Sequence, residues 1–158
     1  MFAIGDKVVY PVHGAGIIEA IEKKEILGEE KDYYVLRICS DNMSVMVPVD
    51  NSLELGMREI IDISYVENVL LVLRTAEEDI IDNWNKRYRA NMDKVKSGDI
   101  CQVAGVVRGL SLRHMAKGLS SGEKRLLDYA KKILVSELML SCNENCEKIE
   151  QMLKENII

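Results

Sequence analysis

The chain changes character near residue 60, and this change limits the folds that are open to it. Before that point, short runs rich in Val, Ile and Tyr alternate with turn residues, and both prolines of the chain, Pro11 and Pro48, lie there. Beyond it, apolar residues recur at helical spacing to the end. We therefore predict an α+β protein, in which a small, bent Tudor- or SH3-like β-sheet or partly open barrel is followed by an all-α helical domain.

Four strands are predicted in the first domain, which spans residues 1–60. They are Lys7–Tyr10, Ala15–Ile21, Tyr33–Ile38 and Ser44–Val49. The turns between them are supplied by Gly5-Asp6, His13-Gly14, Leu27-Gly28-Glu29 and Asp41-Asn42. Pro48 has no amide hydrogen, which favours a place at a strand end or on an exposed edge of the sheet.

The remaining residues predict helices, which we divide into a helical domain over residues 61–142 and a C-terminal amphipathic extension of unknown role over residues 143–158. The predicted helices are Ser64–Leu73, a segment from near Ala76 through Trp84–Val95 that either continues or restarts, Asp99–Lys117, a long helix after Ser120, and Cys146–Leu153. Two capping boxes mark helix starts, Thr75 with Glu78 and Ser120 with Glu123. Ser97-Gly98 predicts a helix end, and Asp99 can cap the helix that follows.

The composition is that of a protein with a buried core, since 47% of the residues are hydrophobic. No run approaches the roughly 18 uncharged apolar residues needed to span a bilayer, and the opening MFAIGDKVVY lacks the features of a secretion signal. We therefore expect a cytoplasmic protein with no membrane partner and with its four cysteines as free thiols. Their spacing completes no recognised metal motif, so neither a metal nor a cofactor is expected.

The net charge of −5 conceals two opposite halves. Residues 1–60 carry six Lys and Arg against eleven Asp and Glu, a net charge of −5. Residues 84–132 carry twelve Lys and Arg against four Asp and Glu, a net charge of +8. This basic block is either a phosphate-binding surface or an ordinary set of solvated helix faces, and charge alone does not separate the two.

An enzyme needs convergent reactive groups, and the sequence offers no such set. His13 lies in a Gly-containing turn that lacks the lysine of a phosphate-binding loop and leads into a strand-like run. His114 lies beside Arg113 and Lys117 on the polar side of its helix, which favours a solvated or phosphate-facing role. We therefore predict that the protein is not an enzyme and has no small-molecule substrate.

The single tryptophan, Trp84, has cations close to it in the segment Asn83-Trp84-Asn85-Lys86-Arg87-Tyr88-Arg89. One hypothesis is that its ring anchors the core. The other is that it stacks on an unpaired base or wedges a base step in the minor groove, where Asn83 and Asn85 could add hydrogen bonds. Both remain open from the residues alone.

Several separated motifs resemble the CarD/CdnL family of bacterial transcription regulators. They are Gly5-Asp6-Lys7-Val8-Val9-Tyr10-Pro11 with His13-Gly14, Trp84-Asn85-Lys86-Arg87-Tyr88-Arg89-Ala90-Asn91, Ser97-Gly98-Asp99, Val106-Val107-Arg108 and Gly118-Leu119-Ser120-Ser121-Gly122-Glu123-Lys124-Arg125. The likeness covers about residues 1–140. The first motif is also similar to the polymerase-interacting domain of the transcription–repair coupling factor.

The resemblance implies a Tudor-like domain that binds the RNA polymerase β subunit, and a helical domain whose tryptophan enters the minor groove at the upstream edge of the melted promoter. The matching positions make Trp84 the wedge, with Lys86, Arg87 and Arg89 as its backbone-binding neighbours. For polymerase, the matching positions are Lys24, Glu25 and the strand residues Val45, Met46 and Val47. Met46 departs from the pattern, since some relatives carry a basic residue there.

The predicted function is therefore a transcription regulator that binds the polymerase β subunit and stabilises the promoter open complex. Its two partners would be the polymerase and promoter DNA near the upstream fork of the bubble. The alternative is a protein-interaction adaptor that docks on polymerase without wedging DNA. The two differ in one respect, because only the first requires Trp84.

Overall fold

A computed structural model describes residues 1–76, 81 and 83–157. In these residues a five-stranded antiparallel sheet precedes five α-helices, which confirms the predicted α+β class. The strands are β1 Lys7–Tyr10, β2 Gly14–Ile26, β3 Glu29–Ile38, β4 Ser44–Pro48 and β5 Arg58–Glu59. Their order is β4-β3-β2-β1-β5, so the sheet is open and β4 forms one edge.

The hairpin of β2 and β3 is longer than the sequence predicted. Its outer part, residues 22–32, is exposed on both faces and rich in charge, which is why it lacks the apolar alternation of a half-buried strand. The two residues at its tip, Leu27 and Gly28, both have positive φ (55° and 79°), the geometry of a tight turn that matches strand twist. A register shift between Ile18 and Ala20 lies in β2, and such irregularities bend a sheet.

The helical part begins with a short 3-10 turn, Ile63–Tyr65. The α-helices are α1 Val66–Thr75, α2 Trp84–Lys96, α3 Ile100–Ala116, α4 Ser121–Cys142 and α5 Cys146–Asn156. The predicted helix start near Ala76, with its Thr75–Glu78 capping box, falls largely on residues 77–80, which lie outside the described residues. Thr75 itself is the last residue of α1, and its hydroxyl donates to the Leu71 carbonyl (2.7 Å). The predicted end of α2 is confirmed, because Ser97 caps it and Gly98 follows with a φ of 81°.

Of the predicted helix caps in the described residues, Asp99 is confirmed and the Ser120–Glu123 box is confirmed in part. Asp99 Oδ1 accepts a hydrogen bond from the Cys101 amide (2.9 Å), and Ser120 Oγ accepts one from the Glu123 amide (3.2 Å). In a full capping box, the Glu123 carboxylate would also accept a hydrogen bond from the Ser120 amide. Instead, that carboxylate binds Arg87, so the box is only half formed.

Two hydrophobic cores stabilise the molecule. One lies in the sheet and contains Val8, Ile18, Tyr34, Leu36, Ile38, Val47 and Met57. The other joins all five helices and includes Leu73, Val95, Val107, Leu134, Leu138, Ile149 and Leu153. Ile149 and Leu153 belong to α5, so the C-terminal segment packs into the same core as the other helices. None of the described helices is both long and apolar enough to cross a bilayer.

Helix α4 packs against the sheet, where it lies directly on β2, and we call the contact between α4 and the sheet the seam. The Ala15 amide donates to Ser136 Oγ (2.8 Å), and a Cβ at Gly14 would lie only 2.6 Å from that oxygen. Glycine at position 14 therefore permits the close approach, and it also has a φ of 109°. Burial raises the pKa of the Cys39 thiol to about 11, which keeps it protonated as a donor to the Ser136 carbonyl (3.1 Å).

Candidate nucleic-acid interface

Trp84 is the first residue of α2, and 55% of its surface is exposed. The preceding residue, Asn83, caps the helix, because its Oδ1 accepts hydrogen bonds from the Asn85 amide (3.0 Å) and the Lys86 amide (3.3 Å). The hypothesis that Trp84 anchors the core is therefore wrong. An exposed indole at a helix N-terminus is available to a partner, and the positive end of the helix dipole beside it favours an anionic one.

Three other residues predicted to contact DNA are exposed near Trp84. Asn85 and Arg89 lie one helical turn apart, and Lys86 is exposed in the same first turns of α2. Tyr88, Met92 and Val95 pack against the helical core. The helix thus presents its ring, amide and cationic groups outward while its apolar residues hold it in place.

Arg87, also predicted to contact the DNA backbone, occupies a different place. It is only 9% exposed, and its Nε and Nη2 donate to the two carboxylate oxygens of Glu123 (both 2.9 Å). Its Nη1 donates to the Ile81 carbonyl (2.9 Å). A guanidinium held in this way is not positioned to meet a phosphate, so we remove Arg87 from the proposed DNA-contacting set.

The Arg87–Glu123 ion pair holds α2, which carries the interface residues, against α4. Hydrogen bonding by Arg87 holds the pKa of Glu123 below its ordinary value of 4.5 against the opposing effect of burial, and the charges of Arg87 and Arg113 act in the same direction. Because Arg87 and Glu123 both lie near the start of their helices, the pair joins the N-termini of α2 and α4. Lys124 and Arg125, exposed in the first turns of α4, are thereby brought towards the Trp84 end of α2.

Comparison with known proteins identifies the family of the chain. Residues 2–61 match the family profile described as "CarD-like/TRCF RID domain", and residues 68–154 match "CarD, C-terminal domain". The chain belongs to the CarD family.

Relatives of this CarD-family protein include one in Bacillus subtilis (strain 168), named "Putative transcription factor YdeB". It is 45% identical over 138 residues, which cover 87% of the present chain and 90% of the relative. A solved relative is the solution NMR structure of the 72-residue N-terminal domain of Myxococcus xanthus CarD. It is 37% identical, covers 37% of the present chain and 79% of its own, and superposes with a TM-score of 0.33.

In this CarD-family protein, the positions predicted to bind polymerase lie on the hairpin and on the edge strand β4. Lys24 and Glu25 are exposed on the outer hairpin, and Val45 and Met46 are half-buried. Val47 is fully buried (0% exposed) in the core of the sheet and pairs with Tyr34 of β3, so neither its side chain nor its main-chain groups face the open edge. We therefore remove Val47 from the proposed polymerase-contacting set.

The backbone of β4 offers hydrogen-bonding groups at the open edge of the sheet. The Ile38 amide donates to the Met43 carbonyl (2.8 Å), and the Val49 amide donates to the Asp32 carbonyl (3.0 Å). Because residues of an antiparallel strand alternate in direction, the odd-numbered residues of this stretch face β3. The amide and carbonyl groups of Ser44 and Met46 then point outward, while Pro48 presents only a carbonyl.

Sequence reasoning missed an ion pair that crosses the seam. Arg58 of β5 donates through both Nη atoms to the carboxylate of Glu137 in α4 (both 2.7 Å), and the Ile61 amide donates to the same carboxylate (2.8 Å). Arg58 Nε also donates to the Gly98 carbonyl (2.7 Å). A signal was present, since Glu137 is a lone charge in an apolar run of α4, and such a residue is usually paired.

Part of the motif that resembles the family serves this same contact. Pro11 is buried, and it lies against Gly56 and Gly98, where an added Cβ would come within 3.1 and 3.3 Å of its ring. Tyr129 of α4 donates a hydrogen bond to the Val12 carbonyl (2.5 Å). Residues 11–14 thus form a surface against which the helical part packs, and this contact accounts for the motif without a catalytic role.

Proposed function

We propose that this protein binds the RNA polymerase β subunit through the β4 edge and stabilises the promoter open complex through minor-groove contact by Trp84 at the upstream fork. Membership of the CarD family already makes it a transcription regulator that acts with RNA polymerase. The observation that carries the finer proposal is the exposure of Trp84 beside Asn85, Lys86 and Arg89 at a capped helix N-terminus.

The physical basis of the proposal is an equilibrium shift. A protein tethered to polymerase that binds melted promoter better than closed promoter increases the population of the open state without any catalytic step. Stacking of a base on an aromatic ring contributes about 1–3 kcal/mol. At about 1.4 kcal/mol per factor of ten, this shifts the equilibrium roughly 5- to 150-fold. The neighbouring cations add phosphate contacts that position the ring without reading sequence.

The seam supports a joint action of the two partners. Because α4 is bonded to β2 and β5, the edge that would meet polymerase and the helix that would meet DNA are parts of one packed structure. Docking of β4 would therefore present Trp84 in a defined place, which raises its local concentration at the promoter.

Replacing Trp84 with alanine is expected to shorten the half-life of the open complex by about 5- to 150-fold, the range set by base–aromatic stacking. Folding should be almost unaffected, because exposed substitutions usually change the free energy of unfolding by less than about 0.5 kcal/mol. The measurement is open-complex half-life with polymerase and wild-type or Trp84→Ala protein. Leu71→Ala, which removes another half-exposed apolar side chain on α1, is the matched control and should leave the half-life unchanged.

Two results would count against the wedge. A large loss of folding stability in Trp84→Ala would mean that the ring supports the structure. An unchanged half-life with normal polymerase binding would favour the adaptor, which docks on polymerase without wedging DNA.

A proline at Met46 is expected to weaken binding to the β subunit about two- to tenfold, because it removes one outward amide donor from β4. Met46→Ala is the matched variant, since it shortens the side chain but keeps the amide. Both proteins should be titrated against a β-subunit fragment by calorimetry. Equal losses in the two variants would mean that the side chain, and not strand pairing, carries the contact.

A further inference from the structure

Helices α3, α4 and α5 enclose a groove of about 380 Å³ that lies apart from both proposed interfaces. Its walls are mainly apolar and are formed by Leu127 and Val135 of α4, Leu153 of α5, and Ile157 at the end of α5. The volume falls in the range of small-molecule sites, which are usually apolar with a few placed polar groups. None of the residues proposed to contact DNA or polymerase lines it.

The polar groups at this groove are predominantly cationic. Lys131 of α4 and Lys154 of α5 are both exposed at its rim, and neither forms an ion pair within the part of the chain that the structure describes. The groove is also lined by His114 and by one acid, Glu150. The two lysines outnumber this acid, so an apolar cleft is bordered by a net positive charge.

We propose that this groove binds a small anionic amphiphile, a carboxylate attached to a medium-length alkyl chain. Binding of the alkyl chain removes the apolar surface of both the ligand and the groove walls from contact with water. The carboxylate forms charge-assisted contacts with Lys131 and Lys154. A helix about 10–12 Å across does not fit a cleft of this size, so a small ligand suits it better than a docked protein helix. This proposal is independent of the proposed function.

The test uses calorimetry on the full chain with decanoate as the probe. We expect saturable binding at one site, with a Kd between about 1 mM and about 10 μM for a ligand of this size. Acetate, which has the head group alone, and decyltrimethylammonium, which has the same chain with a positive head, should not saturate. Lys131→Glu and Lys154→Glu should each weaken decanoate binding about two- to fivefold, the scale of an exposed charge pair. Lys96→Glu, an exposed charge reversal on α2, is the control and should bind like the wild type.

A second measurement locates the ligand. Amide chemical shifts should change at Ser111, Leu127 and Leu153 on adding decanoate, and not at Trp84. Equal binding of the cationic amphiphile, or decanoate binding unaffected by both lysine reversals, would reduce the effect to general adsorption and overturn the proposal. Saturable binding of an acidic amphipathic peptide without binding of decanoate would assign the groove to a protein segment, and would also overturn it.

Discussion

Replacing Glu123 with alanine is expected to lower the free energy of unfolding by about 3–5 kcal/mol, the cost of leaving one partner of a buried ion pair uncompensated. The variant keeps the Arg87 guanidinium in a site that is only 9% exposed and removes the acceptor of two of its hydrogen bonds. In a chain of this size such a loss should lower the Tm by roughly 6–20 °C. Thermal unfolding at neutral pH measures it.

Lys124→Ala is the matched control, because it alters the next residue of α4 at an exposed position. Its effect should stay within about 0.5 kcal/mol. A Glu123→Ala protein as stable as this control would mean that Arg87 finds water or another acceptor without cost. The pair would then not be what holds α2 against α4.

The advantage of the wild type over Glu123→Ala should depend on pH in a defined direction. The pKa of Glu123 lies below its ordinary value of 4.5 in the folded protein, so the folded state favours the charged carboxylate. The stabilisation is therefore complete above the unfolded-state pKa and is lost as the pH falls through the lower folded-state pKa. Denaturant unfolding of both proteins between neutral pH and the acid range should show the difference in free energy shrink only at the acid end. A difference that shrinks towards alkaline pH would contradict this cause.

Features encoded by neighbouring residues could be predicted from the sequence. Ser97-Gly98 ends α2, Asp99 starts α3, and Ser120 starts α4, because each acts on backbone groups within a few residues. The same is true of the strand cores and of the helical spacing of the apolar residues. Elements were least predictable where charge replaces the apolar pattern, as in the outer hairpin.

The different places of Lys86 and Arg87 could not be read from charge or motif. Both are cations beside Trp84, yet among the residues that the structure describes only Arg87 meets a carboxylate, and that carboxylate lies 36 residues away. One signal was present in the sequence. Arg87 and Val95 are eight residues apart and so lie on nearly the same side of α2, and Val95 is buried. Helical position, and not residue type, separates the buried cation Arg87 from the cations that remain exposed.

The contact between sheet and helices was also beyond local reasoning. The turn at His13-Gly14 was predicted. Its contact with α4 was not, because the Ala15 amide bonds to Ser136, which lies 121 residues away in the sequence. The sequence has no Gly/Ser linker near residue 60, which favours a close junction of the two parts. It did not identify Arg58 and Glu137 as the pair that forms it.

Replacing Glu137 with alanine is expected to weaken the seam. Its carboxylate, only 2% exposed, accepts two hydrogen bonds from Arg58 and one from the Ile61 amide, so the variant leaves three donors without their acceptor. Breaking such a buried pair costs about 3–5 kcal/mol. Because this cost falls on the contact between sheet and α4, part of it should appear as local opening of the seam and not only as global unfolding.

Amide hydrogen exchange distinguishes local from global loss. The Ala15 amide bonds to Ser136 and not to Glu137, so its exchange reports whether the seam itself opens. If 3 kcal/mol of the loss opens the seam, Ala15 should exchange about 100-fold faster in Glu137→Ala, while Val107 in the helical core changes less. Glu147→Ala, an exposed acid on α5, is the control. Faster exchange at Ile61 with no change at Ala15 would mean that Glu137 only accepts hydrogen bonds from Arg58 and Ile61. Packing around Gly14 would then hold the two parts together without Glu137.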